Sequence, residues 1–303
     1  MRFGIVILPQ YPWPAARRRW QAAEDFGFDH AWTYDHLSWR SLAGESWGAT
    51  VPTLTAAAVV TERIRLGTFV ASPNFRHPVP FAKEIATLDD IAGGRMLLGL
   101  GSGGTGFDAD VLGQPPLSPR DRHDRYAEFV TALDALLRYE QGGDSAGEAG
   151  SPDGISVSGE WFEAVSARMV GTPAQSPRVP FVLAANGPKG LDVVCRHGAG
   201  WVTTGAEGAT GEEWWASVET LAGRLDDAAD RAGRPAGSID RYLSLDSGGA
   251  YSLRSTSAFE DAVARASIAG FTDVIVHWPR QEGVYAGSEA VLDDVAAILA
   301  GLR

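Results

Sequence analysis

Three short stretches carry residue types that could do chemistry. The first is Tyr34-Asp35-His36-Leu37, where an imidazole that exchanges protons near neutrality sits beside a carboxylate. The plainer role of a lone loop histidine is a hydrogen bond to nearby backbone, so the pair becomes an acid or base only where it faces substrate. The second is Gly99-Leu100-Gly101-Ser102-Gly103-Gly104, which satisfies G-x-G-x-x-G after an apolar run. A dinucleotide site also needs a helix to open at the third glycine. Gly106, Gly113, Pro115 and Pro116 follow instead, while Asp121 and Asp124 sit where acidic residues cap a helix. A bare-backbone loop that approaches a flat ring or a phosphate fits this stretch better. The third is Asn186-Gly187-Pro188-Lys189-Gly190, where a strand ends and a helix opens at or after Pro188. Free amides and the helix dipole suit a phosphate there, although an ordinary strand-to-helix turn reads the same.

Other chemistries find little support. His30, His77, His123, His197 and His277 lack metal-ligand spacing, and neither H-E-x-x-H nor G-x-S-x-G occurs. Cys195 is the only cysteine, so no intramolecular disulfide and no thiol-rich metal site can form. No metal is expected.

The elements that must position these stretches alternate. Strands are expected at Phe3 to Leu8, His30 to Tyr34, Ile64 to Ala71, Arg95 to Leu100, Pro180 to Ala184, Gly200 to Thr204, Asp240 to Leu245 and Asp273 to His277. Helices follow at Arg17 to Phe26, Pro52 to Thr61, Pro80 to Ile91, Arg120 to Tyr139, Lys189 to His197, Glu212 to Ala232, Ala258 to Ala269 and Glu289 to Leu302. The strands are apolar without alternation, as in a parallel sheet buried on both faces. Eight such units predict a (β/α)8 TIM barrel, with an open doubly wound sheet as the alternative. In a barrel, all three stretches fall at strand C-terminal ends, where barrel enzymes place their chemistry.

Length and charge bound the rest. The 303 residues allow one or two domains, and eight strand–helix units reduce this to a single expected domain, 1–303. An excursion over 141–161 interrupts it: an acidic, Gly/Ser-rich loop carrying Asp144, Glu148 and Asp153, then a small hairpin from Ile155 to Phe162. The balance of 26 Lys+Arg against 38 Asp+Glu, a net −12, argues against nucleic-acid and anionic-membrane partners. The apolar start reaches Pro9 too soon for a signal segment, and no run is long enough to span a membrane, so the simplest placement is cytoplasmic.

The stretch Thr61-Glu-Arg-Ile-Arg-Leu-Gly-Thr-Phe-Val-Ala-Ser-Pro73 resembles the bacterial luciferase-like oxidoreductases. So do Arg76-His77-Pro78, Ala86-Thr87-Leu88-Asp89, Gly94 to Gly103, Val179 to Pro188 and Gly198-Ala-Gly-Trp-Val202. The resemblance implies the same barrel, binding FMN or the 8-hydroxy-5-deazaflavin coenzyme F-420 (F420). The Asp35-His36 pair is similar to the deazaflavin-dependent branch, whereas the flavin monooxygenases more often carry Glu-His. By this resemblance His36 acts on a substrate proton or holds the ring, Asp35 orients it and contacts the cofactor, and Trp39 walls the substrate pocket. Phe69, Val70 and Ser72 correspond to the segment behind the ring, with a non-prolyl cis bond at Phe69–Val70. Gly101, Ser102 and Gly103 correspond to the loop beside the ring. Ala185, Asn186, Gly187, Pro188, Lys189 and Gly190 correspond to the phosphate cradle.

One departure bears on substrate. Sugar-phosphate dehydrogenases of the deazaflavin branch carry a glutamate after the Gly-Ser/Thr-Gly turn, where this chain has Gly104. Their phosphate-clamping lysines are unmatched as well, Lys83 and Lys189 being the only lysines. The expected substrate is therefore small and apolar or aromatic, with Trp13, Trp39, Trp47 and Trp278 as candidate lining. Hydride transfer with F420 is the leading expectation. A monooxygenase using reduced FMN from a separate reductase is the alternative, and a non-catalytic flavin-binding barrel a third. Relatives of this kind are homodimers, so a homodimer is expected too.

Overall fold

In the computed structural model, which describes residues 1–104, 107–139, 154–171 and 173–301, eight parallel strands close into a barrel. They are β1 (Arg2–Val6), β2 (His30–Thr33), β3 (Arg65–Thr68), β4 (Met96–Leu100), β7 (Phe181–Ala184), β8 (Gly200–Thr203), β9 (Asp240–Ser244) and β10 (Asp273–His277). Two further strands, β5 (Ile155–Ser158) and β6 (Glu163–Ala167), form an antiparallel hairpin outside it. The helices are α1 (Trp13–Asp25), α2 (Thr50–Ala58), α3 (Pro78–Ile91), α4 (Phe107–Val111), α5 (Pro119–Leu137), α6 (Pro188–His197), α7 (Gly211–Arg231), α8 (Thr256–Ile268) and α9 (Val291–Gly301). Closure runs through β1, which pairs with β2 on one side and β10 on the other. The closed ring excludes the open-sheet alternative.

Non-alternating apolar strands produce two cores. Inward side chains such as Val6, Trp32, Phe69, Leu97, Val182, Val202, Tyr242 and Ile275 fill the barrel. Outward neighbours such as Ile5, Leu66, Leu98, Leu183 and Val274 pack under the helices. β4 and β10 are buried at every position, which is why their sequences show no period of two. Below the barrel, Asp273 accepts from Arg2 at 2.8 and 2.6 Å and from His30 Nε2 at 3.1 Å, tying β1, β2 and β10 together.

Three differences from the sequence expectations are local. The hairpin uses Ile155–Ser158 but its second strand lies at Glu163–Ala167, beyond Phe162, because Gly159 to Trp161 form the turn. Glu128 holds that turn by accepting backbone N–H groups of Glu160, Trp161 and Phe162. The short helix α4 lies in a stretch read as irregular, where Gly113 and two prolines mask its single turn. The acidic part of the excursion, with Asp144, Glu148 and Asp153, lies outside the described residues.

Candidate active site

β2 delivers His36 to the C-terminal mouth. Its Nδ1–H donates to Asp108 Oδ2 at 2.8 Å, and Asp108 Oδ1 accepts the Leu37 N–H at 2.8 Å. The carboxylate is buried, while the imidazole is 26% exposed. A charge-assisted bond to Nδ1 fixes the tautomer and leaves Nε2 without a hydrogen-bond partner among the described residues. The sequence reading placed this orienting role on Asp35, and the structure assigns it to Asp108. Adjacent residues diverge here: Asp35 is buried and held by Arg76 at 2.6 and 3.1 Å, with Arg76 also reaching Glu84. Asp108 was missed because it lies 72 residues from His36. Asp108 lies four residues beyond Gly104, on the short helix α4 (Phe107–Val111).

The ring-side residues converge on the next strands. The Phe69–Val70 peptide bond is cis. A Cβ on Gly101 would stand 2.6 Å from Val70 Cγ2 and 3.6 Å from Ala184 Cβ, so bare backbone is required between β3 and β7. Gly103 has φ +69° and approaches the Asn74 side-chain amide at 2.5 Å from where a Cβ would lie. Ser72 is buried, its oxygen 3.4 Å from the Asn74 N–H, while Ser102 is half-buried on the loop between the two glycines. Asn74 Oδ1 accepts from Arg125 Nη2 at 2.5 Å. Arg125 is buried, and its Nε has no hydrogen-bond partner among the described residues. It lines, with Asn74, Gly104 and Arg122, a cavity of about 240 Å³.

Across the mouth, Asn186 is anchored by Thr203 Oγ1 at 2.8 Å and donates to the Gly205 carbonyl at 2.9 Å. Gly187 caps α6 without a side chain and with open space around it, so the first amides of the helix stay unpaired. Pro188 opens the helix and Lys189 follows, both exposed; Gly190 passes close over Ala185. Burial, with Lys189 and Arg196 adding repulsion, holds the His123 imidazole below its ordinary value despite Asp124.

Aromatic residues wall the space between. Trp39 and Trp47 pack on the barrel-interior group around Tyr34 and Phe69, with Tyr34 and Trp39 ring centres 5.1 Å apart. Trp278 does not join them. It is buried behind the barrel wall against Phe26, with its indole N–H on Glu289, and Trp13 lies on an outer groove with Tyr11 and Trp20. Sequence reasoning also passed over Asp246, His277 and Tyr285. The latter two lie in the floor beside Tyr34, whose hydroxyl is 2.8 Å from His277 Nε2.

A helix start without a side-chain cap and a buried guanidinium whose Nε has no partner among the described residues suit a ligand with an anionic arm, so these residues fit FMN or F420. The luciferase-like monooxygenase family model matches residues 1–291. The chain is similar to an F420-dependent glucose-6-phosphate dehydrogenase of Beutenbergia cavernae, 33% identical over 74% of this chain and 60% of that protein. It is also similar to a 4-hydroxyprotoasukamycin monooxygenase of Streptomyces nodosus, 32% identical over 72% of this chain and 53% of that protein. The chain thus spans less than two thirds of either relative. A solved F420-dependent secondary alcohol dehydrogenase shares the fold, with TM-score 0.80, 17% identity and coverage of 100% and 99%.

Proposed function

Since the chain belongs to the luciferase-like monooxygenase family, we propose that it is an oxidoreductase that binds F420 in the barrel mouth and exchanges hydride with a small apolar or aromatic substrate. The observation that carries this reading is the His36–Asp108 pair at the C-terminal mouth of the barrel, with the Gly101–Gly103 loop packed on Val70 and Asn74 at the ends of the following strands. The first relatives' names, several of them F420-dependent, support the deazaflavin over the flavin.

When bound, F420 would accept or donate the hydride. The chain's own residues do the rest. The Gly101–Gly103 loop lies beside the ring, with Phe69 and Val70 behind it. The α6 amides, Asn186 and Lys189 hold the anionic arm, and Arg125 offers a second anion contact. Trp39 and Trp47 exclude water and press an apolar substrate inward. His36 offers Nε2 to the substrate or the bound ring while Asp108 keeps the imidazole oriented. The phosphate-clamping lysines of the sugar-phosphate dehydrogenases remain unmatched, Lys83 and Lys189 being the only lysines, which disfavours a sugar phosphate.

A second reading, an FMN-using monooxygenase fed by a separate reductase, draws on the similarity to the Streptomyces protein. Titrating the purified chain with F420 and with FMN, by fluorescence quenching, separates the two. The expected result is saturable F420 binding and weak FMN binding; tight FMN binding without F420 binding would establish the second reading instead.

A further inference from the structure

We propose that the mouth holds a second proton-handling site, formed by Asp246, His277, Tyr34 and Tyr285, which fixes the substrate class as an alcohol or the matching carbonyl compound. This rests on the hydride-transfer reading and deepens it.

The geometry is directional. Asp246 Oδ2 accepts the His277 backbone N–H at 2.7 Å and its Nδ1–H at 2.9 Å, while Oδ1 accepts the Ser252 N–H at 2.8 Å and Oγ at 2.6 Å. A carboxylate so surrounded acts only as an acceptor, which forces the proton onto Nδ1 and leaves Nε2 with a lone pair. That lone pair takes the Tyr34 hydroxyl at 2.8 Å, and Tyr34 oxygen in turn lies 3.1 Å from the Tyr285 hydroxyl. Tyr285 stacks on the His277 ring at 3.7 Å and 8°, and Tyr251 hydroxyl donates to the His277 carbonyl at 2.8 Å. The side chains of Asp246, His277 and Tyr34 are buried, whereas Tyr285 is half-buried and, like Trp39, Trp47 and Val70, packs on the barrel-interior cluster. The chain of donors therefore starts at a buried charge and ends at a hydroxyl in the mouth. His36 flanks the same Tyr34 ring at 6.1 Å, so two Asp–His pairs converge on one space.

The groups facing the two phenols are Asp246, Arg40 and, for Tyr285, Arg280 as well. Burial raises both phenols; their mutual contact raises Tyr34 further and lowers Tyr285, Asp246 raises both, and Arg40, joined by Arg280 at Tyr285, lowers them. Both tyrosines thus stay protonated near neutrality and pass a proton on rather than keep one. In oxidation, the substrate C–H bond breaks and its electron pair leaves as hydride to the oxidised deazaflavin. The substrate O–H gives its proton to Tyr285 oxygen, Tyr285 gives its own to Tyr34, and Tyr34 gives its own to His277 Nε2. The C=O bond forms, and the imidazolium rests against ionised Asp246. Tyr285 is the catalytic residue of this set, and His277 and Asp246 act through it.

Two measurements test the proposal. Side-chain ¹⁵N NMR of the histidine-labelled, cofactor-free protein should show His277 as the neutral Nδ1–H form near pH 7, with a Tyr34→Phe substitution shifting its Nε2 resonance. An Nε2–H form would overturn the relay whether or not F420 binds. With F420 present and isopropanol, cyclohexanol and 1-phenylethanol as probes, at least one should reduce the cofactor. Tyr285→Phe should lower kcat at least tenfold and shift the pH profile, with F420 quenching unchanged. Unaltered turnover in Tyr285→Phe, or F420 binding with no alcohol oxidised, would overturn the proposal. Absent F420 quenching would fail the cofactor reading instead.

Discussion

His36 illustrates what a carboxylate contributes without touching substrate. Its Nδ1 is committed to Asp108, so the useful nitrogen is chosen by a residue on another loop. Asp108→Asn preserves shape but can present an amide N–H to Nδ1, favouring the wrong tautomer. Turnover with a reducible probe should fall about 10²–10⁴-fold in His36→Ala and by a comparable factor in Asp108→Asn, while F420 affinity moves little. Steady-state kinetics beside a quenching titration checks this; full turnover in Asp108→Asn would remove Asp108 from the site. His36, the glycine loop and the Asn186–Gly190 turn were legible because each pairs a chemical residue type with a strand end. Asp108 and Asp246 were not, because a carboxylate's partner depends on which loops meet, and loop contacts leave no period in the sequence. Asp35 misled for the same reason, adjacency in the chain not being adjacency in space.

At the scale of elements, the strand–helix alternation was readable because burial on both faces leaves strands continuously apolar and the helices carry their own stops. The short helix α4 was hidden by flanking breakers, and the second hairpin strand by a turn that Glu128 fixes from α5. Close packing makes a sharper test of the barrel than the pattern does. A Cβ on Gly99 in β4 would stand 2.0 Å from the Thr68 carbonyl oxygen of β3, whereas Gly44 has nothing within 4 Å. Gly99→Ala should lose at least about 2–3 kcal/mol of stability, and Gly44→Ala less than about 0.5 kcal/mol. Denaturant melts read both. Equal stability of the two variants would contradict the β3–β4 register.

At the scale of the molecule, charge works locally. A chain of net −12 sets Arg122 and Arg125 beside Asp110 around one cavity, and it spends carboxylates as ties between elements. Burial raises Asp273 and Asp134, but hydrogen bonds from His30 and Arg2, and from His197 and Arg178, outweigh it and hold both below the ordinary 3.8. The folded state therefore binds these protons more weakly than the unfolded chain. Their contribution is full above that ordinary value and is lost as pH falls through the lower folded values. Thermal melts should lose stability as the pH falls from 5 toward 3, and Asp273→Asn should flatten that slope while costing about 3 kcal/mol at neutral pH. A slope unchanged in Asp273→Asn would assign the acid lability elsewhere. Among the described residues no helix is long and apolar enough to cross a membrane. The most direct test of the whole account is the position of F420 in a crystal structure of the complex. The ring should lie over Phe69–Val70 and beside Gly101–Gly103, within reach of His36, with its phosphate at Asn186–Gly190. A ring bound anywhere outside the barrel mouth would contradict the account.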